Sequence, residues 1–264
     1  MAKTSSSDNK SYPEFCELAS KNEEVFRNFR SNEIYKSVVE TVRDEDGINY
    51  FEIACSRVAV VKENIKYFKT SDKTGNPSLI NVKTGFFNRK YRISPTTARY
   101  IKNLSDLILL FGDLSGLKIV EIGGGYGGLC KIISDIFEFE SYTLFDLPQC
   151  LELSKKFLDL HNLNNINYLT EQSLSSIENF DLVISNYAFS ELSTNLQECY
   201  FREILSVTPL GYLTCNFATH TWDKSQMNES NFESFNGLKI FKTTPFLANV
   251  DAGHGISLIT WNSL

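Results

Sequence analysis

The sequence contains no Cys-x-x-Cys pair, no apolar run long enough for a membrane span and no surplus of positive charge. Each absence excludes something. Six cysteines scattered as Cys16, Cys55, Cys130, Cys150, Cys199 and Cys215 match neither a zinc framework nor a dense disulfide scaffold, so buried free thiols are expected. A spanning helix needs roughly 20 apolar residues, and none is found. The opening "MAKTSSSDNKSYPEF" is polar where a secretory leader needs an apolar core, which predicts a cytoplasmic protein. With a formal net charge of -6 and acidic and basic residues mixed along the chain, no surface suited to nucleic acid is expected. Histidine is scarce, at three residues in the whole chain, so each can be weighed singly as a base.

The 264 residues suffice for one large domain with an appendage. Before about residue 115, "EFCELASKNEEVFRNF" and "NEIYKSVVETV" place apolar residues at helical intervals. Next comes a turn-rich stretch, "KTSDKTGNPSLINVKTGFFN". In "SPTTARYIKNLSDLILLFG", Ser94 is the expected N-cap, Pro95 the first helical residue and Gly112 the stop. From residue 117 short apolar runs alternate with amphipathic helices: "LKIVEI", "SYTLFDL", "INYLT", "FDLVISNYA" and "YLTCNFA" are the predicted strands. Alternation of this kind implies parallel strands joined by helical crossovers. The closing runs "LKIFKTTPF" and "GISLITWN" have too little between them for a crossover and predict an antiparallel pair. The expected fold is α/β and Rossmann-like, a seven-stranded sheet ending in an antiparallel hairpin. A mainly helical region (1–93) and a linker helix (94–114) precede the sheet domain (115–264).

"VEIGGGYGGLCKII", residues 120 to 133, holds five glycines in six positions between the first strand and its helix. In an open parallel sheet ligands bind outside the carboxyl ends of the strands. Glycine there permits a left-handed turn and a close approach by a ligand. Gly123, Gly125 and Gly128 satisfy the dinucleotide pattern G-x-G-x-x-G, a weak signal alone. Glu121 just before them favours a zwitterionic cofactor, S-adenosylmethionine, because its carboxylate would repel a pyrophosphate. Asp146, ending the second strand, suits a ribose in either case.

"VEIGGGYGG", "YTLFDLP" and "FDLVISNYAFSEL" resemble strand motifs of class I S-adenosylmethionine-dependent methyltransferases. Together with upstream "GNP" and "SPTTARYI", they are similar to bacterial proteins classed as sugar O-methyltransferases. The resemblance implies an S-adenosylmethionine-binding domain over about 115–264 and methyl transfer to a hydroxyl of a sugar or glycan precursor. Glu121, Gly123, Gly124, Gly125, Tyr126, Asp146 and Leu147 are then the expected cofactor contacts. Topology adds Gln172 and Ser173 near the adenine, with Glu171 beside them, and Ser185 and Asn186 at the end of the fourth strand.

A sugar hydroxyl is barely ionised near neutral pH, so its transfer calls for a base. Glu191, in "NYAFSEL", is the first candidate, and His220 and His254 in later loops compete with it. His161, near a helix end, is weaker. Arg99 and Tyr100 are candidates for the pocket roof, and the Lys73–Pro77 loop for a lid. Asp223 beside His220 and Asp251 near His254 match no metal-binding spacing, so no metal is expected. The helical region would cover the pocket or mediate dimerisation. Two rivals stay open: a nicotinamide-dependent oxidoreductase, and a non-catalytic S-adenosylmethionine-binding scaffold.

Overall fold

The computed structural model describes residues 10–84, 89–217, 227–242 and 255–264. Six short helices come first: α1 (Ser11–Lys21), α2 (Glu23–Asn28), α3 (Glu33–Lys36), α4 (Asp44–Arg57), α5 (Ala59–Glu63) and α6 (Ile65–Phe68). A two-stranded antiparallel sheet follows, β1 (Ile80–Thr84) with β2 (Arg89–Ile93), in register Ile80 to Ile93. This hairpin lies where the sequence suggested a loop. Its outward face carries Asn81, Lys83, Lys90 and Arg92, and Arg89 at the start of β2 is exposed as well; these polar residues hide the strand signal while Ile80, Val82 and Ile93 are buried.

Helix α7 (Pro95–Phe111) has the predicted ends. The Ser94 hydroxyl accepts from the Thr97 amide at 3.0 Å, and Gly112 leaves the helix at φ 79°, a conformation that costs glycine little. The sheet domain then runs β3 (Lys118–Ile122), α8 (Gly128–Ser134), β4 (Ser141–Phe145), α9 (Pro148–Asp159), β5 (Ile166–Leu169), β6 (Leu182–Asn186), α10 (Ala188–Glu191), α11 (Thr194–Tyr200), β7 (Leu210–Asn216), β8 (Lys239–Phe241) and β9 (Ile256–Asn262). The strand order is β5-β4-β3-β6-β7-β9-β8, parallel from β5 to β7. Strand β9 runs antiparallel to both β7 and β8, giving the expected seven strands and terminal antiparallel pair. The order reverses between β3 and β6, so the crevice above β3 is where a ligand is expected.

Alternate residues of β3 serve two apolar layers. Ile119 belongs with the N-terminal helices, α7, α8 and α9, whereas Val120 and Ile122 belong with α11, Phe232 and Trp261. The first layer is continuous from Phe15, Phe29 and Tyr35 to Tyr126 and Phe157, so the helical region shares a core with the sheet domain. All six cysteines are free: four are buried, and Cys55 and Cys199 are half-buried.

A buried guanidinium joins the helical region together. Arg30 is 1% exposed; it pairs with Glu40 and, at 2.9 Å, with Asp72, and donates to the Ser94 hydroxyl at 2.7 Å. Its carbon centre lies 4.7 Å from the centre of the Tyr126 ring. The Gly75–Asn76–Pro77 turn closes against it, with the Arg30 amide donating to the Gly75 carbonyl at 2.9 Å. That turn does not reach the central cavity, which removes the lid role suggested for Lys73–Pro77. Removing one partner of a buried ionic group strands the other charges. Arg30→Met should therefore lower unfolding stability by about 3–5 kcal/mol, measured by urea denaturation.

Candidate active site

A cavity of about 590 Å³ opens above the carboxyl ends of β3, β4, β6 and β7. Its floor holds Glu121, Gly123, Gly125, Asp146 and Asn186, and its roof is made by residues 37–50, Tyr12, Arg99 and Tyr100. Glu191, on α10, also lines it and is half-buried.

The glycine run is explained largely by the chain itself. A Cβ on Gly123 would lie 2.0 Å from that of Ala188, and one on Gly124 would lie 2.4 Å from a Leu144 methyl. Gly127 precedes α8 at φ 82° with Leu158 against it, and Gly128 is pressed by Tyr100 and Tyr126. Within the run only at Gly125 would a Cβ meet no clash, its nearest neighbours being Val39 methyls in ordinary contact at 3.8 Å and 3.9 Å. Gly123 and Gly125 are the glycines of the run on the cavity wall, and Gly125 is the one the chain itself does not crowd. Its amide donates to Asp146 Oδ2 at 3.0 Å, and the Leu147 amide donates to Oδ1 at 2.8 Å.

Two carboxyls in the floor titrate unusually. Burial pushes Glu121 up to about 7, helped by the nearby charge of Asp146; the Tyr142 hydroxyl, donating at 2.8 Å, and the Asn186 amide pull the other way. Burial likewise raises Asp146 to about 6 against the two backbone amides and the Cys150 thiol. Among the described residues neither has a cation beside it. Asn186 is steered from behind: Asn103 Nδ2 donates to its Oδ1 at 2.7 Å, and Tyr212 touches both Asn103 and Asp106. Asp106 is fully buried between Arg57 and Lys102. Asn186 Nδ2 leans toward Glu121 without a well-formed hydrogen bond and is left as a buried donor without a partner. Tyr187, next in the chain, has φ 70°, a strained value for a bulky residue and one that gathers at functional sites.

Several expected residues are placed elsewhere. Tyr126 is fully buried among Phe29, Tyr100 and Phe157 and does not line the cavity. Gly124 is likewise off the wall. Ser185 is spent on structure, donating to the Ile122 carbonyl and accepting from the Phe189 amide, both at 3.0 Å. In the short helix Glu171–Ser176, Glu171 reaches the cavity while Gln172 and Ser173 do not. Leu147 does reach it. His161 packs on Phe157 with its pKa lowered to about 4 by burial and by Lys131. It is neutral at pH 7 and so is no cation for its helix dipole. His220, Trp222, Asp223, Asp251 and His254 lie outside the described residues; among the described residues no group of three His, Cys, Asp or Glu side chains is arranged to hold a metal ion. No helix among them is long and apolar enough to cross a membrane.

Sequence reasoning missed Tyr12, Asp46, Tyr50, Leu196, Tyr200 and Asn216, all on the cavity wall. Their signal was faint: Asp46 and Tyr50 sit on the inner face of a helix of low overall amphipathicity.

No family model matches the chain. Isoflavone-7-O-methyltransferases 6, 8 and 9 of Medicago sativa are 34% identical over 84 residues, 32% of this chain and 22% of theirs. The matched segment thus spans about a fifth of the length of those curated relatives. Among solved structures, magnesium protoporphyrin IX methyltransferase (ChlM) from Synechocystis PCC 6803, with bound S-adenosylmethionine, superposes with a TM-score of 0.42 at 19% identity, covering 61% of this chain and 76% of that one. The pyocyanin biosynthetic protein PhzM gives 0.44 at 11% identity, covering 63% and 56%. Identity this low over superpositions this loose says nothing about substrate.

The cavity charge has a measurable effect on folding. A carboxyl whose pKa is raised on folding stabilises the protein while protonated, and that contribution is lost as pH rises from the unfolded value through the folded one. For Glu121 the window runs from about 4.5 to about 7, worth about 3 kcal/mol. Glu121→Gln should match the parent near pH 4.5 and exceed it in stability above pH 7. Chemical denaturation at the two pH values checks this; a constant difference would contradict the buried-carboxyl account.

Proposed function

We propose that the protein is an S-adenosylmethionine-dependent O-methyltransferase whose acceptor is a hydroxyl of a sugar or glycan precursor. The observation that carries the cofactor is the charge of the cavity. Its described wall holds five carboxyls, Asp46, Glu121, Asp146, Glu171 and Glu191, against one cation, Arg99. Such a wall favours a ligand of net positive charge and disfavours a pyrophosphate.

The residues fit the cofactor. Glu121 and the unpartnered Asn186 amide lie where its amino-acid end belongs, and Asp146, beside Gly125, suits the ribose hydroxyls. Leu147, Phe145 and Tyr200 offer apolar surface on the same side. When bound, S-adenosylmethionine supplies an electrophilic methyl carbon on a sulfonium with a good leaving group. The protein's part is to align an acceptor oxygen, exclude water and take up a proton. Glu191 is at hand for the last task, its carboxylate on the cavity wall after β6. The roof over 37–50 supplies the exclusion of water. The sugar itself rests on the sequence resemblance alone.

The dinucleotide rival is disfavoured by α8. A pyrophosphate would need the amides at the start of that helix, but Gly127 and Gly128 are buried beneath Leu158, Tyr100 and Tyr126. A non-catalytic scaffold would bind the cofactor equally well and is separated by turnover.

Calorimetric titration of the cofactor-stripped protein should show saturable binding of S-adenosylmethionine and S-adenosylhomocysteine and none of NAD(P)H; the reverse pattern would overturn the proposal. Asp146→Ala should weaken S-adenosylhomocysteine binding by about tenfold or more, since hydrogen bonds to a charged partner contribute about 1.5–3 kcal/mol. In a sugar-acceptor screen, Glu191→Gln should reduce kcat strongly with cofactor affinity near the parent's. Unchanged turnover would exclude Glu191 as the essential base.

A further inference from the structure

The acidic wall has one exception. Arg99 lies on α7 one turn before Asn103, with its guanidinium on the cavity. It forms no ion pair among the described residues, in contrast to Arg30, Arg57 and Lys102 nearby, each held by a carboxylate. Its protein contacts are thin. Nη2 donates to the Val39 carbonyl at 3.3 Å, and the rings of Tyr100 and Tyr187 lie 5.7 Å and 5.8 Å away. Nε is buried with no hydrogen-bond partner. A cation removed from water is costly unless compensated, so the unpaired guanidinium favours an anion directly beside it, on a wall whose other described charges are negative.

We infer that Arg99 is the seat for a carboxylate of the ligand, bound through the terminal nitrogens of the guanidinium. A guanidinium that donates to a single backbone carbonyl keeps donors for a carboxylate. Resting on the methyltransferase proposal, two molecules can bring that group: the methionine end of the cofactor, or an acidic acceptor such as a sugar acid. The chemistry at Arg99 is the same for both. Asn103, one turn along α7, holds Asn186 beside Glu121. The helix thereby aims a cation and, through Asn186, an amide donor at one end of the cavity while Glu121 awaits an ammonium.

The test compares the parent, Arg99→Met and Arg99→Lys. Because Arg99 has no ion partner to strand, Arg99→Met should leave the Tm of the unliganded protein unchanged or raised. S-adenosylhomocysteine and 5′-methylthioadenosine, which lacks the amino-acid end, are titrated by calorimetry, and glucuronate and glucose are titrated against the S-adenosylhomocysteine-loaded protein. If the cofactor supplies the carboxylate, Arg99→Met should weaken S-adenosylhomocysteine about tenfold or more and leave 5′-methylthioadenosine unchanged, with Arg99→Lys between. If the acceptor supplies it, S-adenosylhomocysteine affinity should hold, while glucuronate binds the parent more tightly than glucose does and the preference vanishes in Arg99→Met. Unchanged affinities in both arms, or a lowered unliganded Tm with unchanged affinities, would make Arg99 a structural residue and overturn the inference. A parent that binds neither adenosyl compound would sink the methyltransferase proposal instead, and glucuronate and glucose titrated against the unloaded parent and Arg99→Met would then decide Arg99.

Discussion

The desolvated guanidinium of Arg30 is the constraint on which the site depends. Its donors are divided among Glu40, Asp72 and Ser94, and Asp72 in turn accepts from the Ser94 amide and the Thr97 hydroxyl, both at 2.7 Å. Ser94 caps α7, so the start of that helix is fixed by a charge it does not carry. Helix α7 then presents Arg99, Tyr100 and Asn103 toward the crevice at successive turns. Through the face of Tyr126, Arg30 also bears on the loop that begins α8. One side chain thereby registers roof, helix and glycine loop. Ionic groups so placed are weak sources of stability and strong sources of geometry when all their partners are present.

Carboxyls illustrate how environment divides one chemistry among several tasks. Asp106 is enclosed with Arg57 and Lys102 and anchors a chain of polar contacts through Tyr212 and Asn103 to Asn186. Glu121, as deeply buried, has a phenol in place of a cation, so its charge awaits a counterion from outside the chain. Asp146 is satisfied by the amide of its neighbour Leu147 and by that of Gly125, in the very loop a ligand must approach.

Much of this was legible in residue order. The caps of α7, the alternation of strand and helix and the antiparallel ending follow from local preferences and connection lengths. Asn186 was read from the rule that ligands gather at the carboxyl ends of parallel strands, and Glu121 from its charge beside the glycine run and Asp146 from its own at the end of the second strand, together with the family resemblance; all three line the cavity. Contacts set by distant segments were not legible. Tyr126 sits in the expected loop but turns into the cluster of Phe29, Tyr100 and Phe157, which no local pattern specifies. Gln172 and Glu171 are neighbours, and only the tightness of a short helical turn decides which reaches the cavity. Arg99 and Tyr100 were foreseen in the roof, but its residues 37–42 were not, because an irregular segment between short helices lines a pocket without periodicity.

The docking of α1 on α9 has a consequence for synthesis on the ribosome. Tyr12, Phe15, Cys16 and Ala19 face a surface that includes Cys150 and Phe157, and the Cys16 and Cys150 sulfurs lie 3.7 Å apart. The amino-terminal helices emerge first, yet their partner follows after more than a hundred residues. At about 5–20 residues per second that delay is on the order of ten seconds, during which this apolar face has Tyr35 against Tyr12 and Phe15 but not α9 to cover it. Isolated helices this short are marginal in water, so the first fifty residues remain largely unstructured until α9 appears. The roof gains its support at α9, and the nascent chain cannot complete the cavity until β6 and β7 have followed it.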